Sequence, residues 1–169
     1  MNLKFKYFLI FAVILLSAGC KVNYSLSSGS IDPQIKTISI AYFPNNASVV
    51  QPTLSQSFTE ALRDKFTSQS KLSMINRGGD LDIEGSITGY TIQPVAIQGN
   101  ETAALNRLTI TVSVKFTNKI NETQNFESSF SRYEDFDAGQ SLSSVEDALI
   151  KEINATLVDD IFNKTVVNW

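Results

Sequence analysis

The acidic side chains are the first place to look for chemistry. Asp80, Asp82 and Glu84 alternate along DLDIEG with Gly85 behind them, and Glu134, Asp135 and Asp137 cluster around Phe136. The first run has the opening spacing of a calcium loop, but the twelfth position, where such a loop needs a bidentate acid, holds Thr91. Leu81 and Ile83, between the acids, suit the buried face of a strand, which places the carboxylates on its solvated face. The second cluster could supply an acid/base pair, yet no electrophile or partner base accompanies it, and it reads as a charged turn. A glycosidase built on Asp80, Asp82 or Glu134 would need two carboxylates held across one bond, and no further constellation supports it. The chain contains no His and a single Cys. That removes Ser/His/Asp and Cys/His nucleophiles, His-ligated zinc, Cys-cluster metal sites and a disulfide framework. Gly78-Gly79 opens no helix with phosphate-loop spacing. The expectation is a protein without catalytic machinery, cofactor or metal.

Binding chemistry is better represented. Arg107, Lys115 and Arg132 fall on two adjacent predicted strands. If Arg107 and Lys115 share a polar face they could contact an anionic group such as a lipid phosphate; the alternative is a solvated face with scattered cations. The segment QPVAIQGNETAALN, residues 93–106, is long, weakly charged and partly apolar, suited either to docking on a partner or to folding back on the sheet. Gln98, Asn100 and Asn106 are its candidate contact residues. The formal net charge of −3 argues against nucleic acid, whose phosphates require clustered Lys and Arg.

Cys20 carries a different chemistry. It closes the sequence MNLKFKYFLIFAVILLSAGC, in which Lys4 and Lys6 precede an apolar run from Phe8 to Leu16 and small residues lead to the only cysteine. This is the organisation of an export signal, too short for a spanning helix. Its small-small-Cys ending resembles the bacterial lipobox, with Leu16 one place further from the Cys than in the commonest pattern. Acylation of Cys20 would anchor the mature chain, since each buried methylene contributes about 0.8 kcal/mol. Removing residues 1–19 takes away Lys4 and Lys6 and no acid, which moves the net charge from −3 to −5. Residues 20–34 then form the anchor and a small, polar tether, and residues 35–169 a single domain.

The 169 residues are 43% hydrophobic and 18% charged, a globular balance, and eleven Phe can fill a core. TISIAYF alternates as a strand over 37–43, with Ile38, Ile40 and Tyr42 on one face. A helix is predicted over 53–69, opened by a Thr53/Gln56 capping box and buried through Leu54, Phe58, Leu62 and Phe66. A short strand over 72–75 and a Gly78-Gly79 turn lead into an extended segment over 81–97. Its apolar positions change from odd to even, which predicts a β-bulge at Gly89. Leu108, Ile110, Val112, Val114 and Phe116 mark a strand over 107–118, paired as a hairpin with one over 123–135. A last helix starts at a Ser143/Glu146 capping box and carries Val145, Leu149, Ile153, Leu157 and Ile161 on one stripe. The predicted fold is α+β: a two-layer sandwich with two helices on one face of a mixed, mostly antiparallel sheet of four to five strands.

The lipobox, Lys36 to Phe66, Val95 to Phe116 and Phe126 to Phe136 together resemble LptE, the lipopolysaccharide-assembly lipoprotein, in its Bacteroidota branch. The resemblance implies a two-helix sandwich that binds and plugs the large outer-membrane barrel LptD, assists its assembly and supports lipopolysaccharide transport and insertion. It implies an outer-membrane lipoprotein facing the periplasm and the barrel lumen, with LptD and lipopolysaccharide as partners, and it assigns no binding residue. In lipoproteins of that branch an acidic stretch after the Cys marks export to the cell surface; Lys21-Val22-Asn23 lacks one, which favours the periplasmic face. The alternative is an accessory lipoprotein of another secretion or transport complex that shares the strand–helix opening.

Overall fold

The computed structural model describes residues 31–95 and 104–167. Cys20, Gln98, Asn100, the export signal and residues 20–30 of the tether lie outside them. Five strands form one sheet in the order β2-β1-β3-β4-β5. They are β1 (Thr37–Ile40), β2 (Ser73–Ile75), β3 (Leu81–Val95), β4 (Leu105–Asn118) and β5 (Phe126–Asp137), with α1 (Leu54–Gln69) after β1 and α2 (Leu142–Phe162) after β5. β1 runs parallel to both β2 and β3, whereas β3, β4 and β5 form an antiparallel meander. Both helices pack on one face, giving the predicted two-layer α+β sandwich with a five-stranded sheet.

Alternation decides which side each residue takes. Leu108, Ile110, Val112, Val114 and Phe116 of β4 are buried under the helices, and the residues between them are not. On β3 the buried positions are Leu81, Ile83 and Ile87 before the register shift between Ile87 and Gly89, and Tyr90 after it. The bulge falls at Thr88–Gly89, where the change of phase predicted it. Leu54, Phe58, Leu62 and Phe66 of α1, and Leu149, Ile153, Leu157 and Ile161 of α2, meet this face. Each such side chain contributes about 1.5–3 kcal/mol when fully buried.

The structure corrects four local expectations. β1 ends at Ile40, and Tyr42 is 57% exposed while Phe43 is fully buried. The cause lies across the sheet. Gly85 leaves a void on the core side of β3 in which the Phe43 ring sits, and a Cβ there would lie 2.5 Å from Phe43 Cε1. The ring then packs edge-on against Phe58 at 5.1 Å, and the Phe43 amide donates to Thr59 Oγ1 at 3.1 Å. Neither capping box forms. At α1 the Gln51 side chain accepts from the Thr53 amide (2.8 Å) and hydroxyl (3.1 Å), while Gln56 donates to Glu60. α2 begins two residues earlier than expected, its first turn resting on the Ser141 carbonyl, and Glu146 accepts from the Tyr90 hydroxyl at 2.5 Å instead of capping. Finally, β5 starts at Phe126. The preceding residues form a tight turn around buried Asn118, whose Oδ1 accepts from the amides of Ile120 and Asn121 and whose Nδ2 donates to Gln124.

Candidate functional site

Because the helices cover one face of the sheet, the described residues leave the other open, and the register shows what occupies it. Across β3, β4 and β5 its rows read Glu84–Lys115–Glu127, Ser86–Ser113–Ser129, Gly89–Thr111–Ser131, Thr91–Thr109–Tyr133 and Gln93–Arg107–Asp135. Three central rows carry hydroxyls and no charge, and a charged row bounds them at each end. At about 3.3 Å per residue, the eight-residue step from Arg107 to Lys115 makes this surface roughly 26 Å long. Ser and Thr can hold a strand while presenting a donor and an acceptor each, so the surface is wettable yet needs no ion to be desolvated when covered. One cross-strand contact is already made between Thr111 Oγ1 and Ser131 Oγ, at 3.0 Å.

Arg107 and Lys115 share this face, as alternation allowed, but their surroundings differ. Asp135 grips Arg107 through two bonds, Nε–Oδ1 at 2.7 Å and Nη2–Oδ2 at 2.9 Å, and the Tyr133 ring lies 3.6 Å from the guanidinium carbon. The hydrogen bonds from Arg107 hold the Asp135 carboxyl below the usual carboxylate range, against a smaller opposing effect of burial. Lys115 makes no ion pair among the described residues and stands between Glu84 and Glu127 by register. Arg132 lies on the opposite, helix-covered side, where it pairs with Asp160 of α2 at 2.7 Å. Asn106 faces Pro94 and Phe136 near the β3–β4 end of the sheet, on the same side as Arg132. Of the six candidates, then, the structure brings Arg107 and Lys115 onto one face, separates Arg132 and Asn106 from them, and does not describe Gln98 and Asn100.

Asp80 and Asp82 bond within the sheet. Asp80 Oδ2 accepts from the Lys36 amide and from the Thr37 amide and hydroxyl, each at 2.9 Å. Asp82 accepts from Ser39 Oγ at 2.9 Å. By register Asp82 lies beside Thr117 and Glu134 beside Leu108. The nine steps of β4 between them amount to about 30 Å, against roughly 5–9.5 Å for a glycosidase pair. No cluster of three metal-ligating side chains occurs among the described residues, and no helix there is long and apolar enough to cross a membrane.

Sequence reasoning missed the hydroxyl rows and the Arg107–Tyr133–Asp135 cluster. Their signal was present in the polar positions 109, 111 and 113 of one strand and 129 and 131 of the next, once the pairing register is known.

Comparison with known proteins adds a family. The family model described as LptE: Lipopolysaccharide-assembly matches residues 35–165. No curated protein sequence matches the chain significantly. Among solved structures, a minor lipoprotein from Acinetobacter baumannii superposes with a TM-score of 0.51 at 14% identity, over 78% of this chain and 92% of that one. A neuraminyllactose-binding hemagglutinin homologue from Helicobacter pylori gives 0.52 at 8% identity, over 83% and 88%. A Xanthomonas campestris protein gives 0.52 at 10% identity, over 82% and 90%. At these identities the similarity is one of fold.

Proposed function

Because the chain belongs to the LptE lipopolysaccharide-assembly family, a family of non-enzymatic lipoproteins, we propose that it is an outer-membrane lipoprotein that seats in the lumen of an LptD-type β-barrel and supports lipopolysaccharide transport and insertion. In this reading residues 1–19 are removed on export, acylated Cys20 holds the chain on the membrane, residues 20–34 tether it, and residues 35–169 form the insert facing the periplasm and the barrel lumen.

The observation that carries the reading is the open face of the sheet. A large outer-membrane barrel has a polar, water-filled interior. A rigid insert for such a space needs a broad surface that exchanges hydrogen bonds with it without stranding charges. The three hydroxyl rows meet that requirement, and the charged rows at their ends suit wetter surroundings. Among the cation candidates for a lipopolysaccharide phosphate, Lys115 is the one without an ion pair among the described residues, Arg107 and Arg132 being held by Asp135 and Asp160. Gln98, Asn100 and Asn106 complete the proposed contact set.

The test is affinity purification of the C-terminally tagged protein from its own outer membrane. Stoichiometric recovery of a large barrel is expected. Recovery of the protein alone, or of an inner-membrane complex, would overturn the plug reading in favour of an accessory lipoprotein of another transport system. The anchor has its own test: Cys20→Ser should release the protein to the soluble periplasmic fraction, and continued membrane residence without a partner would contradict it.

A further inference from the structure

An open sheet has two edges, and here they are not alike. β2, at one end, is three residues long. β5, at the other, runs for twelve residues without Pro, Gly, Lys or a bulge, paired to β4 in an unbroken register. Where β3 extends past its neighbour, beyond the bridge between Asn45 and Ile87, it carries both the bulge and Pro94. Short length, bulges and prolines keep an exposed edge from templating another strand, and β5 has none of them.

Hydrogen-bond parity shows which groups β5 presents. The Ala138 amide donates to the Ala104 carbonyl on the β4 side. Even positions of β5 therefore bond inwards, and the main-chain groups of Ser131, Tyr133 and Asp135 point away from the sheet. Arg132 agrees with this, its own Nη1 donating to the Ser131 carbonyl at 3.1 Å. Beside that carbonyl, Tyr133 is 51% exposed, and Glu134 makes no ion pair among the described residues.

We infer that β5 pairs antiparallel with β5 of a second copy of this chain, about a two-fold axis at Tyr133, joining two sheets into one. Parity restricts the axis to a residue of the strand, and moving it by one position changes every partner. With the axis at Tyr133, Arg132 falls opposite Glu134 of the second copy, and Glu134 opposite its Arg132. Phe130 falls opposite Phe136, Ser131 opposite Asp135, and no two acids face each other. An axis at Arg132 would set that cation against itself and Glu127 against Asp137. An axis at Ser131 would set Glu127 against Asp135, and one at Glu134 would set that acid against itself. Opposite charges across a strand pair stabilise it and like charges destabilise it, so the residues of β5 select one register. Arg132 keeps Nη2 on Asp160 and turns Nη1 from the Ser131 carbonyl, which the incoming strand's amide takes over, to Glu134 of the second copy. Chains anchored in one membrane share a plane, which raises their effective concentration. The pairing belongs to the lipoprotein apart from any barrel and does not rest on the plug reading.

The test is thiol crosslinking with a bismaleimide on the full-length protein in its own membrane. Tyr133→Cys places two Cα atoms about 5.5 Å apart across the axis and should give a covalent dimer. Ser129→Cys sets them eight residues apart, about 26 Å, and should not. The wild type, whose one cysteine is Cys20, should give none. Glu134→Arg has no ion pair to lose within the chain and sets cation on cation twice across the axis. It should leave the melting temperature unchanged and lower the Tyr133→Cys dimer about tenfold, and adding Arg132→Glu should return it. Equal crosslinking at positions 129 and 133 would mean random collision, and a dimer indifferent to Glu134→Arg would mean another register or face; either overturns the inference. So would a Tyr133→Cys protein that stays monomeric, or one that reacts only with a different protein, which would assign the edge to that partner. Barrel recovery by the wild type is a separate readout, and its failure would remove the plug reading and leave the strand pairing standing.

Discussion

Removing the Asp80 carboxylate should weaken the fold by an amount that depends on pH in a defined way. Oδ2 accepts three hydrogen bonds of 2.9 Å from Lys36 and Thr37, and the Asp80 amide returns one to Thr37 Oγ1, also at 2.9 Å. This clasp joins the start of β1 to the start of β3, where the chain enters the sheet. The Lys36 amide, then the Thr37 hydroxyl and amide, hold the carboxyl below its ordinary value of 3.8; burial opposes them weakly and the charge of Lys119 assists. Three bonds to a partly exposed carboxylate, discounted for solvent screening, amount to about 2 kcal/mol for Asp80→Ala. Asp80→Asn keeps an acceptor without the charge and should lose about half of that, roughly 1 kcal/mol. For a domain of this size 2 kcal/mol corresponds to a fall in melting temperature of about 8 °C.

The sign of the pH dependence follows from the depressed folded value. The native state binds fewer protons at this group than the unfolded chain, so the stabilisation is fully present above the ordinary carboxyl value and is lost as pH falls below it. Urea unfolding of wild type, Asp80→Asn and Asp80→Ala at pH 7, and again at about pH 2.5, should show the wild-type advantage at the higher pH and its narrowing at the lower. A gap of the same size at both pH values would show that the substitution acts through lost packing and not through the carboxylate. An Asp80→Asn protein as stable as the wild type at pH 7 would refute the charged clasp.

Burial, reinforced by the hydrogen bond to Glu146 and that residue's charge, raises the Tyr90 hydroxyl well above its ordinary value of 10.0. Spectrophotometric titration should therefore find one tyrosine ionising only as the protein unfolds. Its stabilisation is complete below pH 10.0 and is lost at higher pH, a loss that Tyr90→Phe should reduce. Gly85→Ala places a Cβ 2.1 Å from the Ser113 carbonyl oxygen and 2.5 Å from Phe43, so it should destabilise the domain by about 3 kcal/mol in chemical denaturation. An effect below about 1 kcal/mol would mean that β3 and Phe43 shift readily. Reversing both cations of the open face, Arg107→Glu with Lys115→Glu, should lower lipopolysaccharide binding by the purified complex. Exchanging the pair as Arg107→Asp with Asp135→Arg should restore the fold's ion pair but not that binding if the cation's position matters. Unchanged binding in the double reversal would eliminate the phosphate contact.

What could be read from the chain was what burial imposes periodically. The stripe of α1 from Leu54 to Phe66, the alternation of β4 and the bulge beside Gly89 all follow from one face needing apolar cover at fixed spacing. Features that depend on residues distant in sequence were not legible. Tyr42 reads as the next inward position after Ile38 and Ile40, and only the void at Gly85, on another strand, explains why Phe43 takes its place. Both capping boxes had suitable residues, but Glu146 found a stronger partner in Tyr90, 56 residues away in the chain, and Gln51 took the role expected of Gln56. Arg107 and Asp135 are 28 residues apart and become neighbours only through the β4–β5 register. Arg132 falls on the other side because Phe126 and Phe130, at the same parity, are drawn to the core.

The open face of the sheet gives the proposed insertion a physical reason. A two-layer sandwich always leaves one sheet face bare, and charged residues are the ordinary way to keep such a face wet. Here charge is withheld from the three central rows and placed at the ends, where Lys115 and Arg107 stand. Unpaired charges in the middle would each oppose burial by several kcal/mol, whereas hydroxyls that exchange water for a polar wall give up little. An accessory protein whose sheet stays in water has no need to withhold charge from the middle of that face; an insert that presses the face against a polar wall does.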